Sequence, residues 1–373
     1  MALSLITNLP SLRAGNQLLK AQASTNLALA RLASGFRINS ARDDAAGLAI
    51  ATRFSAQISG QNVARRNAAD GISLAQTAEG ALNEITSNLQ RIRELSLQSA
   101  NATNSDSDRQ ALDAEVQQRI EEIDRIASQT AFNGLKVLDG SLEELRFQVG
   151  ANVGQTISLD LQLGVRASQV GSVAQEVLGF DDTAFTDGGL TNAASLSLTV
   201  GEGVAVTVDL AAGLTREEIA LAIREVEVPG LVTAEIDGAG LRLLAGESIT
   251  LGEDFPTLFE NAPLVIELSG SLADGSITTV AGANASILRS DNALESVNRL
   301  RSQLGAIQNR FESTINNLDN STESLSAARS RIVDADFAAE AARLIRSQIL
   351  EQVAIAILAQ ANSRPQQILP LLG

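Results

Sequence analysis

The 373-residue chain contains no cysteine, histidine, tyrosine or tryptophan. Each absence removes a class of chemistry. Without cysteine there is no disulfide, thiolate metal site or thiol nucleophile. Without histidine the commonest metal ligand and the side chain that titrates nearest neutrality are missing. Without tyrosine so is the phenolic acid. An enzyme built on this chain would have to run on carboxylates, arginine and serine. No catalytic, metal-binding or cofactor-binding residue is expected, and no cofactor. Positive charge is also scarce. The 28 Lys+Arg against 44 Asp+Glu leave a formal charge of −16, which makes nucleic acid and anionic membrane surfaces poor partners. The longest strongly apolar stretch, near Val353–Ala359, is far too short to span a bilayer, so no membrane insertion is expected. No basic segment followed by an apolar one opens the chain, as a cleaved secretory signal would.

What is present is unevenly spread. Between Gln175 and Ala285 stand 18 acidic residues against three arginines, a net −15, which leaves about −1 for the two flanks together. The flanks read as long helices. Ala75, Ala78, Leu82, Ile85, Leu89 and Ile92 alternate steps of three and four, a heptad seam. A second seam runs without a slip through Ala293, Val297, Leu300, Leu304, Ile307, Phe311, Thr314, Leu318, Ser321, Leu325, Ala328 and Ile332. A helix from Ala293 to Ile332 would be roughly 60 Å long at about 1.5 Å per residue. A core of ordinary size does not need that length, so a rod of adjacent helices is expected. A weaker seam, Leu18, Gln22, Thr25, Leu29, Leu32 and Phe36, follows Pro10. Another helix is expected from about Asp106 to Ile126 on Leu112, Val116, Ile120 and Ile123, with Ser107 and Gln110 as its capping box. The last helix spans about Ala335 to Asn362, and Pro365 stops it.

Strands are confined to the middle. Asn133-Gly134 and Asp139-Gly140 are turn signals between β-leaning runs, so a hairpin is expected over about 132–164. "LSLTVGEGVAVTVDL" reads as two strands, "TREEIALAIREV" as a short helix capped by Thr215, and "VTAEIDGAGLRLLAG" as a hairpin about Asp237-Gly238. The acidic segment is thus an α+β unit. The chain leaves as helices, visits β structure and returns as helices, so both ends should lie together. Those ends are apolar where chain ends are ordinarily polar: "MALSLITNLPSL" has no charge before Arg13, and beyond Ser347 only Glu351 and Arg364 are charged. The acid pair Asp43-Asp44 invites a metal reading, but the arginines around it (Arg37, Arg42, Arg53) and the absence of a third ligand favour a helix start capped by Asn39, Ser40 or Asp43.

Three stretches, "RLASGFRINSARDDAAGLAIATRF", "NAADGISLAQTAEGALNEITSNLQRIRELSLQSANATNSDSDRQALDAEVQQRIEEIDRIASQTAFNGLKVL" and "LAQANSRPQQILPLLG", closely resemble bacterial flagellin. The resemblance covers about residues 1–165 and 286–373, and the acidic middle is similar, less specifically, to the variable insert of many flagellins. It implies a structural subunit that polymerises into the flagellar filament for motility and is exported unfolded by a type III apparatus to the cell exterior. The implied partners are the chain itself, an export chaperone on the C-terminal segment, the filament cap and the hook-associated proteins. "LQRIRELSLQS" and "DAEVQQRIEEIDR" match the segment that vertebrate Toll-like innate receptors recognise in many flagellins, which lands on Arg91, Leu95 and Glu115. The alternatives are a hook–filament junction protein of the same family and a surface-displayed adhesin acting through the acidic unit. Many relatives close with "SLL" and a basic residue, whereas this chain has Pro370 and ends in neutral Gly373.

The expected fold is mainly α with an α+β insert: an antiparallel helical rod or coiled coil built from both ends, a β-hairpin region near its tip and an inserted outer domain. The expected domains are 1–40 with 334–373, a coiled coil lining the filament channel; 41–174 with 286–333, the helical rod; and 175–285, the acidic outer domain. Residues expected to drive polymerisation are Leu18, Leu29, Leu32, Leu344, Ile349, Val353 and Leu358. The rod seam is expected on Leu82, Ile85, Leu89, Leu300, Leu304, Ile307 and Phe311.

Overall fold

The structure is a computed structural model, and it describes residues 8–363 apart from 187, 238–239, 253–254, 256–257 and 261. The helix α1 (Leu9–Ser34) is followed by α2 (Ala45–Ser99) and α3 (Asp106–Gln129). The strands β1 (Ala131–Phe132), β2 (Leu135–Lys136), β3 (Glu144–Gln148) and β4 (Thr156–Asp160) come next. The strand-rich middle holds β5 (Val173–Phe180), β6 (Phe185–Thr186), β7 (Gly189–Leu190), β8 (Ala194–Val200), β9 (Val206–Leu210), α4 (Arg216–Glu225), β10 (Leu231–Asp237), β11 (Gly240–Ala245), β12 (Ile249–Leu251), β13 (Phe259–Glu260), β14 (Val265–Ile266) and β15 (Leu268–Ser269). Two helices, α5 (Val280–Val333) and α6 (Phe337–Ser363), close the chain. This is the expected order of helices, β structure and helices.

The chain divides into two compact units, one of residues 1–67, 148–155 and 314–373, the other of 68–147 and 156–313. These limits differ from those that charge suggested, because α2 and α5 each continue without a break through both units.

In the first unit α1 starts on Asn8, whose Oδ1 accepts from Ser11 N at 3.1 Å, with Pro10 in the first turn, where a missing N–H costs nothing. It ends at Gly35, whose φ of 74° suits a residue without Cβ. The acid pair that follows caps differently from expectation. Asp44, not Asn39, Ser40 or Asp43, accepts from Gly47 N at 2.9 Å at the start of α2. Asp43 folds back instead, accepting from the backbone N–H of Asn39 and Ser40. Those backbone bonds hold its carboxyl below the usual range. The chain then meets its return limb in a short clasp. Arg37 N donates to Val333 O at 2.6 Å, Ala335 N donates to Gly35 O at 2.9 Å, and Phe36 bridges to Asp334. Asp336 caps α6, accepting from Ala338 and Ala339 N. Pro365 and the divergent tail lie outside the described residues.

The second unit holds the α2 seam and the first half of the α5 seam, which passes into the first unit at Thr314. Leu82, Ile85, Leu89, Leu300, Leu304 and Phe311 are fully buried and Ile307 nearly so. Arg93 meets Asp291 at 2.7 Å and Gln308 donates to Glu79 at 3.1 Å, so α2 and α5 run antiparallel here. Each fully buried Leu or Ile contributes roughly 1.5–3 kcal/mol. The α3 capping box forms on Ser105 and Asp108, not on Ser107 and Gln110. Asn133 and Gly134, at φ 49° and 82°, turn β1 back on β2, and β3 pairs with β4, so the expected hairpin is two hairpins.

The middle folds around one apolar cluster that includes Leu198, Leu243 and Phe259. One sheet runs β10-β11-β5-β13, with β15 also on β5, and another runs β14-β12-β8-β9. The helix α4 is capped by Thr215 and Glu218. The hairpin turn at Asp237-Gly238 lies partly outside the described residues. The strand β5 begins at Val173, two residues before the boundary that charge marked, and α5 begins at Val280, before the other.

Candidate interaction surface

The terminal helices α1 and α6 lie antiparallel. Asn8 Nδ2 donates to Ala361 O at 2.9 Å, Ser11 Oγ to Asn362 Oδ1 at 2.7 Å, and Thr25 Oγ1 to Ser347 Oγ at 3.1 Å. The buried line on α1 is Ala14, Ala21, Thr25 and Ala28, and on α6 it is Glu340, Ser347, Ala354 and Ala361. These side chains are mostly small, so the backbones approach closely. The half-buried Leu18, Leu32, Leu344 and Leu358 fill the steps between them.

This corrects the expected seam in its alternate positions. Leu18, Thr25 and Leu32 belong to it, but Ala21 and Ala28 replace Gln22 and Leu29, and Phe36 points outward at 40 % exposure. Bulk was the wrong guide, because a close helix pair selects small residues at its contact line. The recurrence of alanine at 14, 21 and 28, and again at 354 and 361, was the sequence signal for it.

The consequence is an apolar outer face. Leu9, Leu12, Leu19, Leu27 and Leu29 on α1, and Phe337, Ile345, Ile349, Leu350, Val353, Ile355 and Ile357 on α6, are all exposed. The far longer α2 exposes only Val63 and Leu97 among its described large apolar side chains, and α5 only Val280. Scattered apolar residues need no explanation, but a dozen on one helix pair does. Among the polymerisation candidates, then, Leu29, Ile349 and Val353 lie on the outer face, whereas Leu18, Leu32, Leu344 and Leu358 sit half-buried in the pair. An open groove along this face is bordered by Arg13, Lys20, Arg343 and Arg346. No described helix is long and apolar enough to cross a membrane.

A second cluster lies on α2 and α3. Arg91 Nε donates to Glu115 Oε1 at 3.0 Å, and Arg91 Nη1 reaches Glu94 at 3.1 Å. The bond from Arg91 holds the Glu115 carboxyl below its ordinary value, and Glu115 in turn raises Arg91. Leu95, placed with them by the resemblance, is only 1 % exposed. It packs in the core and offers no surface, so the structure brings Arg91 and Glu115 together but leaves Leu95 behind them. Among the described residues no three acidic side chains group closely enough to hold a metal ion.

Residues 5–143 match the model of the bacterial flagellin N-terminal helical region, and residues 288–372 that of the C-terminal helical region. The chain is 40 % identical to Flagellin B of Vibrio anguillarum over 383 aligned positions, and 36 % identical to a flagellin of Salmonella rubislaw over 494, with all of both chains covered in each case. A solved structure of FliC from Burkholderia pseudomallei is 27 % identical, covering 64 % of this chain and 99 % of that one with a TM-score of 0.40.

Proposed function

The chain belongs to the bacterial flagellin family, and from that premise we propose that it is a structural subunit of a flagellar filament that polymerises through the outer face of its terminal helix pair. The observation that carries this is the dozen large apolar side chains exposed on α1 and α6. A helix pair that turns its small residues inward and its large ones outward is left with apolar surface that only further chains can cover. Flagellins are structural proteins, and no catalytic role is assigned to this one.

In this reading residues 1–40 and 334–373 line the filament channel, 41–174 and 286–333 form the packed rod, and the acidic 175–285 faces outward. Export precedes assembly, with a chaperone on the apolar C-terminal segment, and the growing end meets the cap and hook-associated proteins. Arg91 and Glu115 belong to the face where subunits pack, and a Toll-like innate receptor would read that same pair; Leu95 supports it from within.

The test is elongation of filament seeds by purified chain, followed by electron microscopy. Unsubstituted chain should elongate them. Ile349→Asp and Val353→Asp, both on the exposed face, should abolish elongation while leaving the melting temperature of the α2–α5 seam unchanged. Normal elongation by both variants would refute the assignment of this face.

A further inference from the structure

The terminal pair contains one charge that its contact line does not need. Glu340 is buried, 5 % exposed, in a line otherwise made of Ser347, Ala354 and Ala361. Arg31 Nη1 approaches it at 3.6 Å and Arg343 Nη1 at 3.0 Å. The Arg31 contact is loose, and Arg31 Nε is buried without a hydrogen-bond partner. As a stabilising device this is poor. Two charges are taken out of water for an incomplete set of bonds, and an apolar pair of similar size would stabilise as well.

The apolar part of the contact line, by contrast, cannot fix its own alignment. Counting outward from Thr25–Ser347, Leu18 stands level with Ala354, Ala14 with Leu358 and Ala28 with Leu344. Large meets small at these three steps, while Leu32 stands level with Glu340 and Ala21 with Glu351. A shift of α6 by one heptad, about 10 Å along the axis, that brings Thr25 level with Ala354 gives Leu18 against Ala361, Ala21 against Leu358 and Leu32 against Ser347. Large still meets small. What the shift destroys is chiefly polar: Asn8 with Ala361, Ser11 with Asn362, Gln22 with Glu351, Thr25 with Ser347, and Arg31 with Glu340, although it also carries Leu344 level with Gly35, past the end of α1. Of these Glu340 is the most demanding, because in the shifted pair it passes beyond Ser34, the end of α1, and loses Arg31.

We infer that the Arg31–Glu340–Arg343 cluster specifies the register in which the two ends of the chain pair. Buried polar groups that set helix alignment at some expense of stability are an attested device. The inference concerns the pairing of α1 with α6 within one chain and does not depend on which surface polymerises. The register therefore remains measurable if polymerisation proves to use another face.

Because the chain has no cysteine, engineered pairs report the register directly. Ser11→Cys with Asn362→Cys reads the native alignment, since those side chains are 2.7 Å apart. Ser11→Cys with Ile355→Cys, and Leu18→Cys with Asn362→Cys, read shifts of one heptad in either direction. Each pair is oxidised in the full-length chain, as purified and after assembly, and intramolecular disulfides are separated from intermolecular ones by gel mobility. The otherwise unsubstituted chain should give the native disulfide and at least tenfold less of either shifted one. Arg31→Leu/Glu340→Leu should raise a shifted disulfide to a yield comparable with the native one. The charge-swapped Arg31→Glu/Glu340→Arg should restore the native disulfide alone. A leucine variant that still gives only the native disulfide overturns the inference and assigns register to the clasp at Phe36 and Asp334. Loss of all three disulfides in the leucine variant also overturns it, since the cluster would then hold the pair together rather than align it.

Discussion

Gly71 and Phe311 occupy one space. A Cβ added at Gly71 would come within 2.7 Å of the Phe311 ring. That ring is fully buried and stands edge-on to Phe147, with centroids 5.3 Å apart. Gly71→Ala, normally favourable inside a helix, should here destabilise by about 1–3 kcal/mol, read as a lowered denaturation midpoint. Leu304→Ala, in the fully buried part of the α5 seam, should cost about 2–5 kcal/mol. An unchanged melting temperature would mean the site is not packed. Electrostatics at residue scale are weaker but have a definite sign. The bond from Arg91 holds Glu115 below its ordinary value of 4.5, so the folded form is favoured above that pH, and the advantage is lost as pH falls through the lowered value. Arg91→Ala should therefore narrow the drop in melting temperature between about pH 6 and about pH 3. An identical drop in both chains would show the pair to be inert. The pair is largely solvated, so the effect should also shrink at high salt.

At the scale of elements, α3 offers a clean comparison. The expected cap was Ser107 with Gln110, and the structure instead uses Ser105 with Asp108. Ser105→Ala should cost about 1 kcal/mol, while Ser107→Ala, inside the first turn, should stay within about 0.5 kcal/mol. The reverse order in thermal unfolding would restore the Ser107 cap. The two serines also illustrate what sequence can carry. The α2 seam and the α5 seam as far as Leu318 were legible because apolar residues recur at nearly every step of three or four with charges elsewhere, whereas Ser321, Leu325, Ala328 and Ile332 are only half-buried. The Asn133-Gly134 turn was legible because few residues other than Asn and Gly settle at positive φ. The α1 seam was only half legible. Leu18, Thr25 and Leu32 could be read, but Ala21 and Ala28 make contact through what they lack, and nearby Leu29 looks more apolar than either. Leu95 was placed by resemblance alone, which carries no information on burial. The start of β5 was missed because net charge changes two residues after the backbone does.

For the whole molecule, the insert can be cut only where its strands allow. A linker joined at 175 would leave Val173 and Ala174 of β5 behind without Leu244, which packs on Val173. A replacement extending to 285 would remove the first six residues of α5. Replacing residues 173–274 with a short flexible linker should therefore give a helical, soluble chain that still elongates seeds into thinner filaments. A well-folded deletion chain unable to elongate them would count against an outward-facing insert.

The alanine-lined contact between the two ends has a further consequence, which belongs to mass action. Two helices that touch through small side chains bury little apolar area by themselves, while ordering each residue costs about 1–2 kcal/mol in backbone entropy. Most of the favourable term must come from neighbours, so the folded fraction of α1 and α6 becomes a function of how many other chains are nearby. A partner present at a hundred times its dissociation constant adds about 2.7 kcal/mol, enough to move such a pair from mostly open to mostly closed. The ends then act as a concentration gauge built from packing alone. Hydrogen exchange should find Leu344–Ala359 weakly protected in dilute chain, with protection rising steeply as assembly begins, while Leu300–Phe311 stays protected throughout. Equal protection of both segments at every concentration would show that the terminal pair stands by itself.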